Sequence, residues 1–452
     1  MNPNGPTVLL DLDTGETVPH FVELDGRTSD PARRTLIMRP DASLKPDGHY
    51  AVAVRNLVDT EGNPVAPEPA FRALRDGNPT RVPSIEARRP DMEDLFERLR
   101  GNGIPTDNLT LAFAFVVRSD EQLTQDMLWM RDDALRWIDE NRFEPWLDLA
   151  FNIDPDNYDF DCATTGSPTA WRLRGTLPAP FYLQGDTPRE GPQFYGNGQI
   201  LARDENGRPK RVGLYPLPFD IAIPCAVYTG EVEPTTLLVG HGLFGTGAGM
   251  VDSVSALGSA RQEYGIDGLE FVTVGTDFRG LASPDLLWVG LNIIGTNESR
   301  LNNFPQFPAR LQQGMIHQLV LAHVMKKNRF VHCKPADDPE PCPSYVFANY
   351  LAPAEKETFY YGNSLGGVMG IFHAALSDAI TRYAVDVGAS NFPMMLQRST
   401  QFAAFEQLTE AIGLTDPMET VLGLNLLGEL WISAEPAGYL RHVTGLVDPP
   451  LP

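Results

Sequence analysis

The chain has 452 residues, 42% hydrophobic and 21% charged, with a formal charge of −23. That length points to two domains or three, each able to bury a sizeable interior. The acidic balance excludes a nucleic-acid partner, because a phosphate-binding surface needs clustered Lys and Arg, and no apolar run is long enough to span a bilayer.

The N-terminal MNPNGPTVLLDLDTG has no basic stretch followed by an apolar one, so no signal peptide is expected in it. Alternation and turn residues then predict short strands in TVLLDLDTGETVPHFVEL, TLIMRP and HYAVAVRNL. The stretch LKPDGHYAVAVRNLVDTEGNPV resembles the immunoglobulin-like modules that precede catalytic domains in exported bacterial proteins. The resemblance implies a small all-β Ig-like domain over residues 1–85, with fewer strands than a complete sandwich. RALRDGNPTRVPSIEARRP is rich in Pro, Gly and Arg without periodicity, and a linker is expected over 86–104. LTLAFAFVVRS reads as a strand, residues 121–141 as a helix, and residues 151–228 as strands and loops.

From Thr235 the pattern becomes apolar strands alternating with helices, the signature of a parallel sheet with crossover helices. TTLLVGHG, FVTVGTD and RYAVDVGAS are strands, ARLQQGMIHQLVLAHVMKK an amphipathic helix, and TFYYGNSLGGVMGIFHAAL a strand, tight turn and helix. The material after Ser390 reads as helical, with no convincing strand.

Gly362-Asn363-Ser364-Leu365-Gly366 matches G-x-S-x-G in the strand–turn–helix context that motif needs. His241-Gly242-Leu243-Phe244-Gly245 follows a strand and resembles the HG-x-x-G segment of bacterial lipases. Asp277-Phe278-Arg279-Gly280-Leu281-Ala282-Ser283 is similar to a turn found after the next strand in many α/β-hydrolases, with Ala282 where glycine is usual. Together these resemble the α/β-hydrolase superfamily, which implies a mostly parallel sheet with flanking helices over residues 105–452. The resemblance makes Ser364 the nucleophile and the Leu243 and Leu365 amides the oxyanion donors. His241, Gly242, Gly362, Gly366 and Asp277 are then structural; residues 391–440, helical and apolar, read either as a lid-like insert or pocket wall over an acyl chain or as core packing.

The expected order of a triad is Ser, then Asp or Glu, then His. Downstream of Ser364 stand only His373, set inside the following helix, and His442, with Asp386 or Asp416 as orienting acids. His373 reads as a packed core histidine, His442 has the right chain order and is a weak candidate for the base, and the last strands, carrying acid and histidine, are expected to be missing. The implied function is a carboxylic-ester hydrolase, lipase-like or esterase-like, acting on a small-molecule ester or lipid without metal or organic cofactor. A non-catalytic surface or binding protein on the same scaffold is the alternative. Cys162, Cys225, Cys333 and Cys342 are scattered too widely for a zinc site. Cys333 and Cys342 flank an acidic loop, and both a disulfide between them, which would suit an exported protein, and two free thiols stay open.

Overall fold

In the computed structural model the chain divides into two compact units, Met1–Leu123 and Thr124–Pro452. The structure describes residues 5–26, 28, 30–141, 158–159, 162, 168–184, 200–257, 270–290, 303–327, 356–396, 398–400, 409–410 and 413–443.

The first unit contains β1 (Thr7–Asp11), β2 (His20–Leu24), β3 (Leu36–Pro40), β4 (His49–Arg55) and β5 (Leu109–Val116). Between β4 and β5 lie α1 (Pro69–Arg75), α2 (Pro83–Glu86) and α3 (Arg89–Gly101). β1, β4 and β5 form an antiparallel sheet in that order, and β2 pairs with β3. Strand alternation puts Leu9, Tyr50, Val52 and Val54 in one apolar cluster. Val8, Leu10, Ala51, Ala53 and Ala112 join Phe71 of α1 and Leu95, Phe96 and Leu99 of α3 in another. The all-β Ig-like module expected over 1–85 is therefore corrected to an α/β unit that runs to Leu123. Residues 86–104, expected as a linker, supply the helix that closes its core. Pro83 and Pro90, from the proline-rich segment, and Pro69 before it occupy the first two positions of helices. No intrahelical hydrogen bond is lost there.

The second unit begins within α4 (Asp120–Glu140), whose Met127, Met130, Ala134 and Ile138 form one buried stripe. Then follow β6 (Tyr158–Asp159), β7 (Thr169–Phe181), β8 (Leu183–Gln184), β9 (Ile200–Leu201), β10 (Gly213–Pro224) and α5 (Cys225–Tyr228). After them come β11 (Thr235–Gly240), α6 (Gly247–Ala256), β12 (Phe271–Gly275), α7 (Leu286–Val289) and α8 (Gln306–Lys326). The remaining elements are β13 (Thr358–Asn363), α9 (Leu365–Leu376), β14 (Arg382–Asp386), α10 (Phe392–Leu396), α11 (Pro417–Trp431) and α12 (Leu440–Val443).

The sheet order is β14-β13-β11-β12-β10-β7-β6. β11 to β14 pair in parallel, whereas β10 is antiparallel to both β12 and β7. The sheet is thus mixed rather than mostly parallel, because the long β7–β10 pair makes up its other half. A Cys162–Cys225 disulfide joins the chain before β7 to the end of β10. Cys333 and Cys342 lie outside the described residues.

Helices cover both faces. α6 packs Val251 and Val254 on Leu237, Val239 and Phe359, while α8 and α9 lie over Leu238, Val272, Val274 and Tyr360. The sequence predicts an amphipathic α8, yet Phe307–Met325 are buried all round. Three of its polar side chains reach partners on other elements: Gln313 bonds Tyr182 N and Pro180 O, Gln318 bonds Thr276 O, and His323 bonds Asp139. In the parallel half, Gly240 is level with Gly362, and Asn363 with Asp386. The turns that follow β11, β13 and β14 therefore emerge side by side at one edge.

Candidate active site

Ser364 occupies the single residue between β13 and α9, with φ 56° and ψ −118°. A side chain rarely adopts a positive φ, and the cost persists only where the surroundings fix it. Here Ser364 N–H donates to Asp386 O (3.1 Å) of the neighbouring strand, and Val368 N–H donates to Ser364 O (3.0 Å). The flanking glycines allow the crowding. A Cβ on Gly362 would overlap the Gly366 carbonyl, and one on Gly366 would overlap the Gly240 carbonyl.

The loop from His241 to Thr246 leaves β11 beside this turn. A Cβ placed on Gly242 would lie 3.7 Å from Ser364 Cβ, so the amide of the next residue, Leu243, belongs to the loop that overhangs the serine. Leu365, which carries the other expected donor, begins α9 and is buried. Phe244 adopts φ 53° within the loop, a second left-handed residue beside the elbow.

His241 is 2% exposed, and both ring nitrogens are committed. Nε2 accepts the Phe278 N–H (2.8 Å), so the proton sits on Nδ1, which donates to Gly242 O (2.7 Å). Burial lowers its pKa to about 4. The ring is a neutral brace between the Gly242 loop and the turn after β12, with no lone pair left for a serine proton. That turn holds the loop at further points: Phe244 N–H donates to Leu281 O (2.9 Å), and Ser283 N–H to Gly245 O (2.9 Å). Asp277 accepts Gly247 N–H (2.8 Å) at the start of α6, and burial raises its pKa to about 6. Behind the turn, Asp285 accepts from Gly280 N–H and Ala282 N–H and pairs with Arg310 of α8 at 2.7 Å, both side chains fully buried. Arg310 also lies over the Trp288 ring. The sequence reading did not single out Asp285 or Arg310, since nothing local marks two separated charges as partners.

Of the acid and base candidates, Asp386 stands beside the elbow, level with Asn363. The Asp386 carboxylate accepts from Asn363 Nδ2 (2.7 Å), and Asp416 caps α11 by accepting Met418 N–H (2.9 Å). His373 is fully buried, stacks on Tyr360 and contacts the Tyr383 hydroxyl at 2.9 Å. His442 lies in α12 just after Tyr439, whose ring packs on Phe372 at 4.4 Å between centroids. Phe372 is about 12 Å along α9 from the serine, at 1.5 Å per residue. The region expected as a lid is helical where described. Phe392 and Trp431 stack there at 4.7 Å, and Trp431 packs on Phe304 and Phe307. Leu422, Leu426 and Leu430 of α11 face outward. Among the described residues, no helix is long and apolar enough to cross a membrane, and no His, Cys, Asp and Glu group could hold a metal.

No protein-family model and no curated protein matches the chain. Solved structures that it resembles include acetyl xylan esterase 1 of a Thermoanaerobacterium species, at 10% identity and TM-score 0.34, covering 72% of this chain and 84% of that one. An acetyl xylan esterase of a Paenibacillus species matches at 10% identity and TM-score 0.32, covering 70% and 77%. The juvenile hormone esterase of Manduca sexta matches at 14% identity and TM-score 0.25, covering 62% of this chain and 49% of that one. Likeness at these scores carries no argument about function.

Proposed function

We propose that the chain is a carboxylic-ester hydrolase of the α/β-hydrolase type, with Ser364 as its nucleophile. The observation that carries the reading is a serine at φ 56° between strand and helix, with the Gly242 loop against its side chain. Ser364 Oγ attacks the ester carbonyl and gives up its proton, and the carbonyl oxygen becomes an anion held by the Leu243 and Leu365 N–H groups. The ester C–O bond breaks as the departing oxygen takes up a proton and leaves as the alcohol. Water then hydrolyses the acyl-enzyme. Two preorganised donors matter because the charge they meet exists only during reaction, and losing one typically costs about 3–4 kcal/mol. The substrate is a small-molecule ester or lipid. An exported location fits the Cys162–Cys225 bridge, since disulfides persist in oxidising compartments.

The alternative reading is a binding protein on a hydrolase scaffold, since fold alone does not fix function. Hydrolysis of p-nitrophenyl butyrate separates the two. Ester hydrolase predicts turnover that Ser364→Ala abolishes, and His442→Ala tests whether that histidine is the base. Turnover unaffected by Ser364→Ala would sink the reading.

A further inference from the structure

Beneath the elbow sits a side chain that the proposed chemistry does not use. Tyr360 of β13 is 1% exposed, and its hydroxyl donates to Gly366 O at 2.6 Å. Three glycines make room for it: a Cβ on Gly240 or Gly362 would strike the Tyr360 hydroxyl, and one on Gly370 would lie 2.5 Å from Cε1. The ring is held from the other side by His373 and Tyr383, at 5.8 and 5.3 Å between centroids.

These contacts place one hydroxyl where β11, β13 and α9 converge. Gly240 ends the strand that leads into the Gly242–Leu243 loop, and Gly366 follows Leu365. We propose that Tyr360 is the positioning residue of the elbow, its hydroxyl fixing the first turn of α9 against the end of β11 and so the separation of the Leu243 and Leu365 amides. Burial pushes the phenol well above its ordinary pKa, so it remains a donor throughout the working pH range. Without the hydroxyl the ring still fills its cradle, but the Gly366 carbonyl loses its tether. The first turn of α9 then gains freedom while the core keeps its packing. The effect on turnover rests on the ester-hydrolase reading; the effect on the elbow does not.

The experiment uses the full chain and three variants, Tyr360→Phe, Tyr383→Phe and Ser364→Ala, with two readouts. Amide hydrogen exchange in the peptide spanning residues 361–370 should quicken about tenfold in Tyr360→Phe and stay at the parent rate in Tyr383→Phe, which removes a partly buried hydroxyl from the same cluster. Hydrolysis of p-nitrophenyl butyrate should show kcat lowered about 10- to 100-fold in Tyr360→Phe with KM within about twofold, since misplacing reacting groups by an ångström can cost that much. Unchanged exchange at the elbow in Tyr360→Phe, or equal effects of the two tyrosine variants, overturns the proposal. Failure of the ester-hydrolase reading shows separately, as turnover that Ser364→Ala does not touch, and exchange then decides the role of Tyr360 alone.

Discussion

Replacing His241 with Gln should change how stability depends on pH more than it changes stability at neutral pH. In the folded protein Nε2 accepts the Phe278 N–H, so protonating the ring would break that bond within a buried site. Burial accordingly brings the ring's pKa from 6.5 to about 4. The unfolded chain takes up a proton at about pH 6.5 that the folded chain refuses until about pH 4. The stabilisation from the neutral ring is therefore complete above 6.5 and is lost progressively as pH falls towards 4. At about 1.4 kcal/mol per pH unit, roughly 2 kcal/mol has gone by about pH 5. Glutamine can bridge donor and acceptor but does not titrate, so the stability gap between parent and His241→Gln should shrink by that amount between about pH 7.5 and about pH 5. Other buried groups, such as His373 and Glu435, titrate in both proteins and cancel in the difference. Urea unfolding at the two pH values measures the gap directly, and thermal unfolding should show it closing by about 4 °C. A gap that stays constant across the range would mean that His241 titrates normally, and the neutral-brace account would be wrong.

Two glycines near the serine should respond in opposite ways. Gly366→Ala drives a Cβ into the Gly240 backbone and should cost about 3 kcal/mol or prevent folding, read by calorimetry or yield. Gly242→Ala meets only an ordinary contact with Ser364, so its melting temperature should match the parent's while ester turnover falls, the methyl group occupying space beside the hydroxyl. Arg310→Met leaves Asp285 buried without its cation and should destabilise by about 3–5 kcal/mol, with the double variant Asp285→Asn/Arg310→Met recovering part of that in a denaturation series.

The sheet edge that carries the site was legible because its signals are local. The β11, β12 and β13 segments are apolar runs ending in glycine-bearing turns, and the elbow motif names both its strand and its helix. The first unit misled for an equally local reason. Its prolines were read as breakers, although proline is tolerated in the first turn of a helix, and Leu95, Phe96 and Leu99 carried a helical spacing under all the arginines. Long-range relations left no trace in the sequence. Nothing near Cys162 points to Cys225, and nothing near Asp285 points to Arg310. The polar residues of α8 suggested a wet face because their partners sit on elements remote in the chain. Tyr360 was passed over because a tyrosine in an apolar strand looks like any core residue until its glycine cradle is seen.

β14 is the outermost strand on its side of the sheet among the described residues. A strand in that position invites another chain to pair with it, and Val385 and Val387, 40% and 71% exposed, add an apolar surface. The edge is blunted at both ends. Arg382 bridges Glu357 at 3.3 Å near its start, Asp386 closes it, and Val387 turns to φ 50° immediately after. Among the described residues the stretch left for pairing is five residues long, with charges at each end and a bend that a β-branched residue seldom tolerates. The residue that bends away at 387 also directly follows the aspartate whose carbonyl holds the Ser364 amide. The same short segment thus ends the strand's pairing edge and holds the serine turn, so changes that relieve its backbone should be read in solubility as well as in turnover.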